Sequence, residues 1–200
     1  MRKNKSKRVG LRILSFIVTA VIFYCLSVGV YFFIEKRVYP LDYITEIKYY
    51  SNKYGLDVYK VLSLIKIESN FNAEAVSLKG AKGLMQLIDS TAYYVAEKLG
   101  KKNFDLFNAK DNIELGCYYL KYLSERFDIE KTALCAYNAG EGNVRIWLSE
   151  KSFSDDGRTL KFIPFKETRE YIIKFEKTFN KYKKLYKNLL DKQKNIEYYK

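Results

Sequence analysis

From Ile13 to Ile34 the chain runs for 22 residues without a charged side chain. Coiled as a helix at about 1.5 Å per residue, such a run crosses a hydrocarbon core roughly 30 Å thick. Residues 13–34 are therefore read as a transmembrane helix. Ahead of it, residues 1–12 form a basic arm with Arg2, Lys3, Lys5, Lys7, Arg8 and Arg12 and no acid. The positive-inside rule keeps that arm cytoplasmic, so a single pass through the cell membrane delivers the rest of the chain to the extracytoplasmic side. A secretory signal has a shorter apolar region, about 7–15 residues, and a small-x-small cleavage site. Neither matches, and Cys25 lacks the small residues that precede a lipoprotein cleavage site, so the segment is read as an anchor.

Beyond the span, Pro40 and Pro164 are the two prolines of the chain, and strand-like alternation is nearly missing. The expected fold class is all-α. Pro40 ends the membrane helix, with residues 35–41 as a stalk. Helices are expected from about Asp42 to Lys53, stopped by Gly55, and from Val58 to Glu68, capped by Asp57. Residues 69–89 lose periodicity and read as structured loop. Ser90 is expected to cap a helix through Leu99, with Gly100 as its stop. Further helices are expected over 109–127, where Gly116 signals close packing, and over 130–138. The chain should then break at Gly140 and Gly142 before a short helix through 144–148. A long helix is expected from Lys166 onward, with Phe175, Phe179, Tyr182, Tyr186 and Leu189 on one side and lysines between. Its first half should pack, and the last dozen residues should fray. The lysines of this tail, 174–200, could rest on anionic lipid or an anionic wall polymer.

Composition removes whole classes of chemistry. The chain has no histidine, which excludes Ser-His-Asp and Cys-His catalysis and histidine metal sites. No metal and no cofactor are expected. The net charge of +13 leaves +7 on the exported part once the six arm cations are removed, which suits anionic lipids and wall polymers. No nucleic-acid motif is present, so no nucleic acid is expected as partner. Cys117 and Cys135 could form one disulfide only if the fold brings them together; given their helical surroundings they are read as two buried free thiols.

Val58, Val61, Leu62 and Ile65 recur at helix spacing, and three residues further the same face reaches Glu68. A carboxyl group held against apolar surface stays protonated closer to neutral pH, as a general acid must. After it come Ser69-Asn70-Phe71-Asn72, then Ser77, Gly80 and Gly83-Leu84-Met85-Gln86. Much later stands Ala136-Tyr137-Asn138-Ala139-Gly140, and then Ile163-Pro164-Phe165-Lys166-Glu167-Thr168-Arg169-Glu170-Tyr171. In this order the blocks resemble the soluble lytic transglycosylase family, whose lysozyme-like domain cleaves peptidoglycan. The resemblance covers about Asp42 to Tyr171, giving a lytic transglycosylase domain at 42–173.

The resemblance implies an enzyme, a lytic murein transglycosylase, with Glu68 as sole acid and base. Most glycosidases use two carboxylates, and Glu74, Asp89 and Glu97 are each explained as solvated surface. The implied reaction protonates the oxygen between N-acetylmuramic acid and N-acetylglucosamine. The muramoyl 6-hydroxyl then closes onto C1, giving 1,6-anhydromuramic ends. Ser77 would bond the acetamido group or the 6-hydroxyl, Gln86 would bind sugar polar groups, and Met85 would form an adaptable apolar wall. Tyr137 would bring its hydroxyl near Glu68, with Asn138 bracing the turn at Gly140. Glu167 would hold a sugar or a neighbouring side chain, a salt bridge to Arg169 or another cation being the competing reading. The chain departs from the family where Ile88-Asp89 replaces Met-Pro. Two alternatives stay open: a goose-type-like muramidase in which water attacks, and a wall-binding module without turnover.

Overall fold

The computed structural model describes residues 2–197, with side chains described for residues 10–191. Among these, eight α-helices form two compact units that divide between Pro40 and Leu41. The first unit is α1 (Arg2–Val38). Within it, residues 10–38 are long and apolar enough to cross a membrane. Two hydroxyls inside this stretch bond back to their own helix, Thr19 Oγ1 to the Ser15 carbonyl and Ser27 Oγ to the Tyr24 carbonyl, both at 2.8 Å. Each hydroxyl proton is thereby used within the helix. The helix runs on through residues 35–38 of the expected stalk and stops before Pro40, which has no N–H to continue it. The side chains of Arg2, Lys3, Lys5, Lys7 and Arg8 lie outside the described residues.

The second unit comprises α2 (Ile44–Lys53), α3 (Val58–Ser69), α4 (Asp89–Lys98), α5 (Ala109–Arg126), α6 (Glu130–Ala139), α7 (Glu141–Ser149) and α8 (Lys166–Glu197). Its axis is α3, whose Val61, Leu62, Leu64 and Ile65 are fully buried. Asp57 starts this helix by accepting from the Tyr59 N–H at 2.8 Å, so the helix enters the core with its first donors satisfied. Helices α2 and α8 pack along it, α5 carries α2, α4 and α6, and α6 touches α8. The α8 face that meets the core uses Tyr171, Phe175, Tyr182, Tyr186 and Leu190. The inner stripe therefore ends on Leu190, and Leu189 is exposed, because α-helical spacing from Tyr186 reaches i+4. The fraying expected for the last dozen residues falls largely outside the described side chains.

Two boundaries differ from the sequence expectation. Ser90 does not cap α4: the cap position is Ile88, with no side-chain bond, and Asp89 lies in the first turn. There its charge meets the helix dipole and pairs with Lys82 at 2.8 Å. Gly142 does not break the chain either. Only Gly140, at φ +88°, separates α6 from α7, and Gly142 is helical. Cys117 and Cys135 are buried free thiols, and burial pushes the Cys135 thiol up to about 12.

Candidate active site

Glu68 occupies the last turn of α3. Beyond it the chain leaves the helix through Asn70 and Phe71, both in left-handed conformation at φ +53° and +64°. This sharp exit folds residues 72–88 back over the end of α3. Ser69, the other half of the Glu-Ser pair, secures the fold: its Oγ donates to the Leu84 carbonyl at 2.8 Å. Two isolated antiparallel bridges, Val76 with Lys82 and Lys82 with Leu87, tighten the loop. At Gly83, φ is +72° and a Cβ would stand 2.1 Å from the Leu106 carbonyl oxygen, so only glycine fits.

A cleft opens between this loop, the α6–α7 junction and the start of α8. Glu68, Ser77, Gln86, Tyr137, Asn138 and Glu167 all line it. Part of the Glu68 residue surface remains open to the cleft, while protein atoms crowd its carboxyl group. Oε1 accepts a 2.6 Å hydrogen bond from the Tyr171 hydroxyl of α8. Burial raises the Glu68 carboxyl, the Tyr171 bond pulls it back, and the nearby Glu167 charge raises it again; the result is about 7. The Tyr171 phenol is itself pushed far above its ordinary value, by burial first and then by the Glu68 and Tyr137 charges. It therefore stays protonated and donates.

The aromatic partner of Glu68 is thus Tyr171, where the sequence pointed to Tyr137. The Tyr137 hydroxyl donates instead to the Met85 carbonyl at 2.8 Å, pinning the loop to α6 while the residue lines the cleft. Met85 is a second correction. Its side chain is fully buried and packs against Gly116, where a Cβ would meet the Met85 sulfur at 2.4 Å. It does not line the cleft, and what it offers the site is its carbonyl. In the sequence Tyr171 stands only as the aromatic after the Glu-Thr-Arg triplet. The signal for its role was its register: Thr168, Tyr171, Ile172 and Phe175 share the buried face of α8.

The remaining groups divide between bracing and exposure. Ser77 is an exposed turn residue whose Oγ accepts from the Ala81 N–H at 3.0 Å, and its own hydroxyl proton can still be given. The Gln86 amide nitrogen donates to the Ala75 and Gly83 carbonyls at 3.1 and 3.0 Å. Both its donors are spent on the loop, and its oxygen remains an acceptor. Asn138 Oδ1 accepts from Thr168 Oγ1 at 2.7 Å, so it braces α8. The cation that Glu167 meets is Lys79, at 3.0 Å, while Arg169 donates to the Ile163 and Pro164 carbonyls. Glu68 and Glu167 are the two carboxylates among the residues lining this cleft. Ile88 and Tyr119 extend it on the other side. No group of three His, Cys, Asp or Glu side chains among the described residues converges to hold a metal.

An all-α domain that presents one half-enclosed carboxyl group in a cleft is the arrangement of lysozyme-like glycan-cleaving domains. Residues 45–159 match the transglycosylase SLT domain model, and the chain belongs to that family. It is similar to the soluble lytic murein transglycosylase of Escherichia coli, 31% identical over 145 residues that cover 70% of this chain and 22% of that protein. It is also similar to the membrane-bound lytic murein transglycosylase C of Photorhabdus laumondii, 34% identical over 59% of this chain and 36% of that protein. Among solved structures, an inactive mutant of the Pseudomonas aeruginosa lytic transglycosylase Slt matches with a TM-score of 0.63 and 31% identity. That match covers 74% of this chain and 25% of the other. The chain thus spans less than half the length of these relatives.

Proposed function

We propose that this protein is a membrane-tethered lytic transglycosylase that cuts peptidoglycan strands between N-acetylmuramic acid and N-acetylglucosamine. The observation that carries the reading is Glu68: a carboxyl group poised at about 7, oriented by Tyr171, in a cleft whose other carboxylate is already engaged by Lys79. A group poised there gives its proton to the glycosidic oxygen and, once ionised, takes one back. With no free second carboxylate beside it, the sugar supplies the nucleophile. The muramoyl acetamido group steadies the positive centre, and Glu68 removes the 6-hydroxyl proton as that oxygen closes onto C1. The bond from C1 to the leaving oxygen breaks, the bond from C1 to O6 forms, and no water is consumed.

Ser77, exposed at the rim, presents a hydroxyl to the acetamido or 6-hydroxyl group. Gln86 and Asn138 offer their remaining amide atoms to the sugars. The apolar run in α1 anchors the protein once through the cell membrane, with the basic arm cytoplasmic and the cleft outside, on the charge asymmetry of residues 2–12. The lysines of α8 add an attraction to anionic lipid or wall polymer.

The test is digestion of purified sacculi with the full chain in detergent micelles, with chain ends identified by mass spectrometry. Anhydromuramic ends that disappear in Glu68→Gln support the reading. Reducing ends would make the enzyme a muramidase. Undiminished cleavage by Glu68→Gln would end the single-carboxyl mechanism.

A further inference from the structure

A second cleft, of about 460 Å³, borders α7. Asn143 of that helix lines the Glu68 cleft, whereas Arg145, Leu148 and Ser149 line the second one. At 100° per residue these three project from roughly the opposite side of the helix. Arg126 from the end of α5 and Arg158 from the loop after α7 complete a set of three guanidinium groups.

Their charges are only partly answered. Arg126 and Arg145 share one carboxylate, Glu141 Oε1, at 3.0 and 2.7 Å. Arg158 reaches Asp128, a carboxylate that also lines the cleft, only at 3.9 Å and is well exposed. Arg126 is held in place before any ligand arrives: its guanidinium lies over the Tyr122 ring at 4.9 Å, and its Nε donates to the Tyr122 hydroxyl at 2.7 Å. Both its hydrogen bond to Tyr122 and its ion pair with Glu141 run through Nε, and the residue lines the cleft. Tyr122 also ties this place to the first cleft, because it stacks on Tyr119, which lines the Glu68 cleft, and donates to Glu141 at 3.1 Å.

Planar guanidinium forks are built for carboxylates, which they bind through two parallel hydrogen bonds. The muramoyl units of peptidoglycan carry acidic stem peptides on their lactyl groups. We infer that the Arg126, Arg145 and Arg158 cleft receives the carboxylates of a stem peptide while its glycan lies in the Glu68 cleft, so that peptide-bearing strands are preferred to naked ones. The identity of the ligand rests on the transglycosylase reading.

The experiment compares peptide-bearing strands with the same strands stripped by an amidase, using the full chain in detergent micelles. The double variant Arg126→Gln/Arg158→Gln should lose about tenfold in kcat/KM on peptide-bearing strands and keep its rate on stripped ones. Arg158→Lys, which keeps the charge and loses the fork, should fall between. An equal loss on both substrates, or no loss, overturns the inference. A second arm measures calorimetric binding of the free stem peptide to the full chain carrying Glu68→Gln. Binding should weaken about tenfold in the arginine variants, and no binding before they are introduced also overturns it. Failure to cleave either strand form would strike at the catalytic reading alone, and the peptide-binding arm would still decide the cleft.

Discussion

The Tyr171 hydroxyl donates a 2.6 Å hydrogen bond to Oε1 of Glu68, joining the first turns of α8 to the last turn of α3. The two effects on that carboxyl oppose each other. Burial favours the neutral acid, and a donor aimed at the oxygen favours the anion. Together with the Glu167 charge, which also raises the carboxyl, their balance at about 7 keeps both forms present near neutrality, which a group acting first as acid and then as base requires.

Tyr171→Phe removes the donor and leaves the ring. The carboxyl then rises above 7, so the alkaline limb of the rate profile, where the acid form is lost, moves to higher pH. A charge-assisted bond contributes about 1.5–3 kcal/mol, so kcat should fall roughly 10- to 100-fold through misorientation. A pH profile of strand cleavage decides it. A limb that stays put or moves to lower pH would show that Tyr171 does not act on Glu68.

Glu68→Gln should make the protein more stable at neutral pH while removing activity. The native carboxyl titrates at about 7 against an ordinary 4.5, so between those values the native state holds a proton that the unfolded chain has released. Stability therefore falls as pH rises from 4.5 to 7, by about 3 kcal/mol in total. Below pH 4.5 both states are protonated and the penalty is gone. The variant lacks it at every pH. Melting curves of the two proteins should nearly coincide at pH 4 and separate above pH 7, and parallel curves across that range would refute the shift.

The helices and the Glu68 carboxyl were legible in the sequence because both are written in short-range periodicity. Asp57, Val58 to Ile65 and Glu68 lie on one helix, and Gly83 and Gly116 announce close approaches that a Cβ would block. The assignment of hydroxyls was not legible, since it depends on contacts between distant positions. Tyr137 and Tyr171 both end near Glu68, and which one bonds it follows from the docking of α8 on α3. The fate of Met85 likewise follows from Gly116, 31 residues later, which admits its side chain to the core. The α4 cap failed for a simpler reason: Ile88, Asp89 and Ser90 stand side by side, and tertiary pairing of Asp89 with Lys82 overrides the intrinsic preference of serine.

Glu167→Gln tests the electrostatic reach of the cleft rim. The Glu167 charge raises the Glu68 carboxyl, so its removal lowers that carboxyl and moves the alkaline limb to lower pH, opposite to Tyr171→Phe. The ion pair with Lys79 is largely exposed, so the change in stability should stay within about 1 kcal/mol. Opposite displacements in the two variants identify the separate contributions. Displacement in the same direction would remove Glu167 from the account of the site.

Gly116→Ala probes how the core holds the cleft. The added methyl would stand 2.4 Å from the Met85 sulfur and 2.8 Å from its Cβ, too close for rotation of the thioether tip alone to relieve. Overpacking of this kind costs about 1–3 kcal/mol. It should also reach the site, because the Met85 carbonyl that must move is the acceptor of the Tyr137 hydroxyl. The single variant should melt lower and cleave strands several-fold more slowly. Shortening the neighbour in Gly116→Ala/Met85→Ala relieves the clash, and kcat should recover more than stability does, since the double variant trades overpacking for lost apolar contact. Recovery of neither would mean that Gly116 acts through something other than Met85.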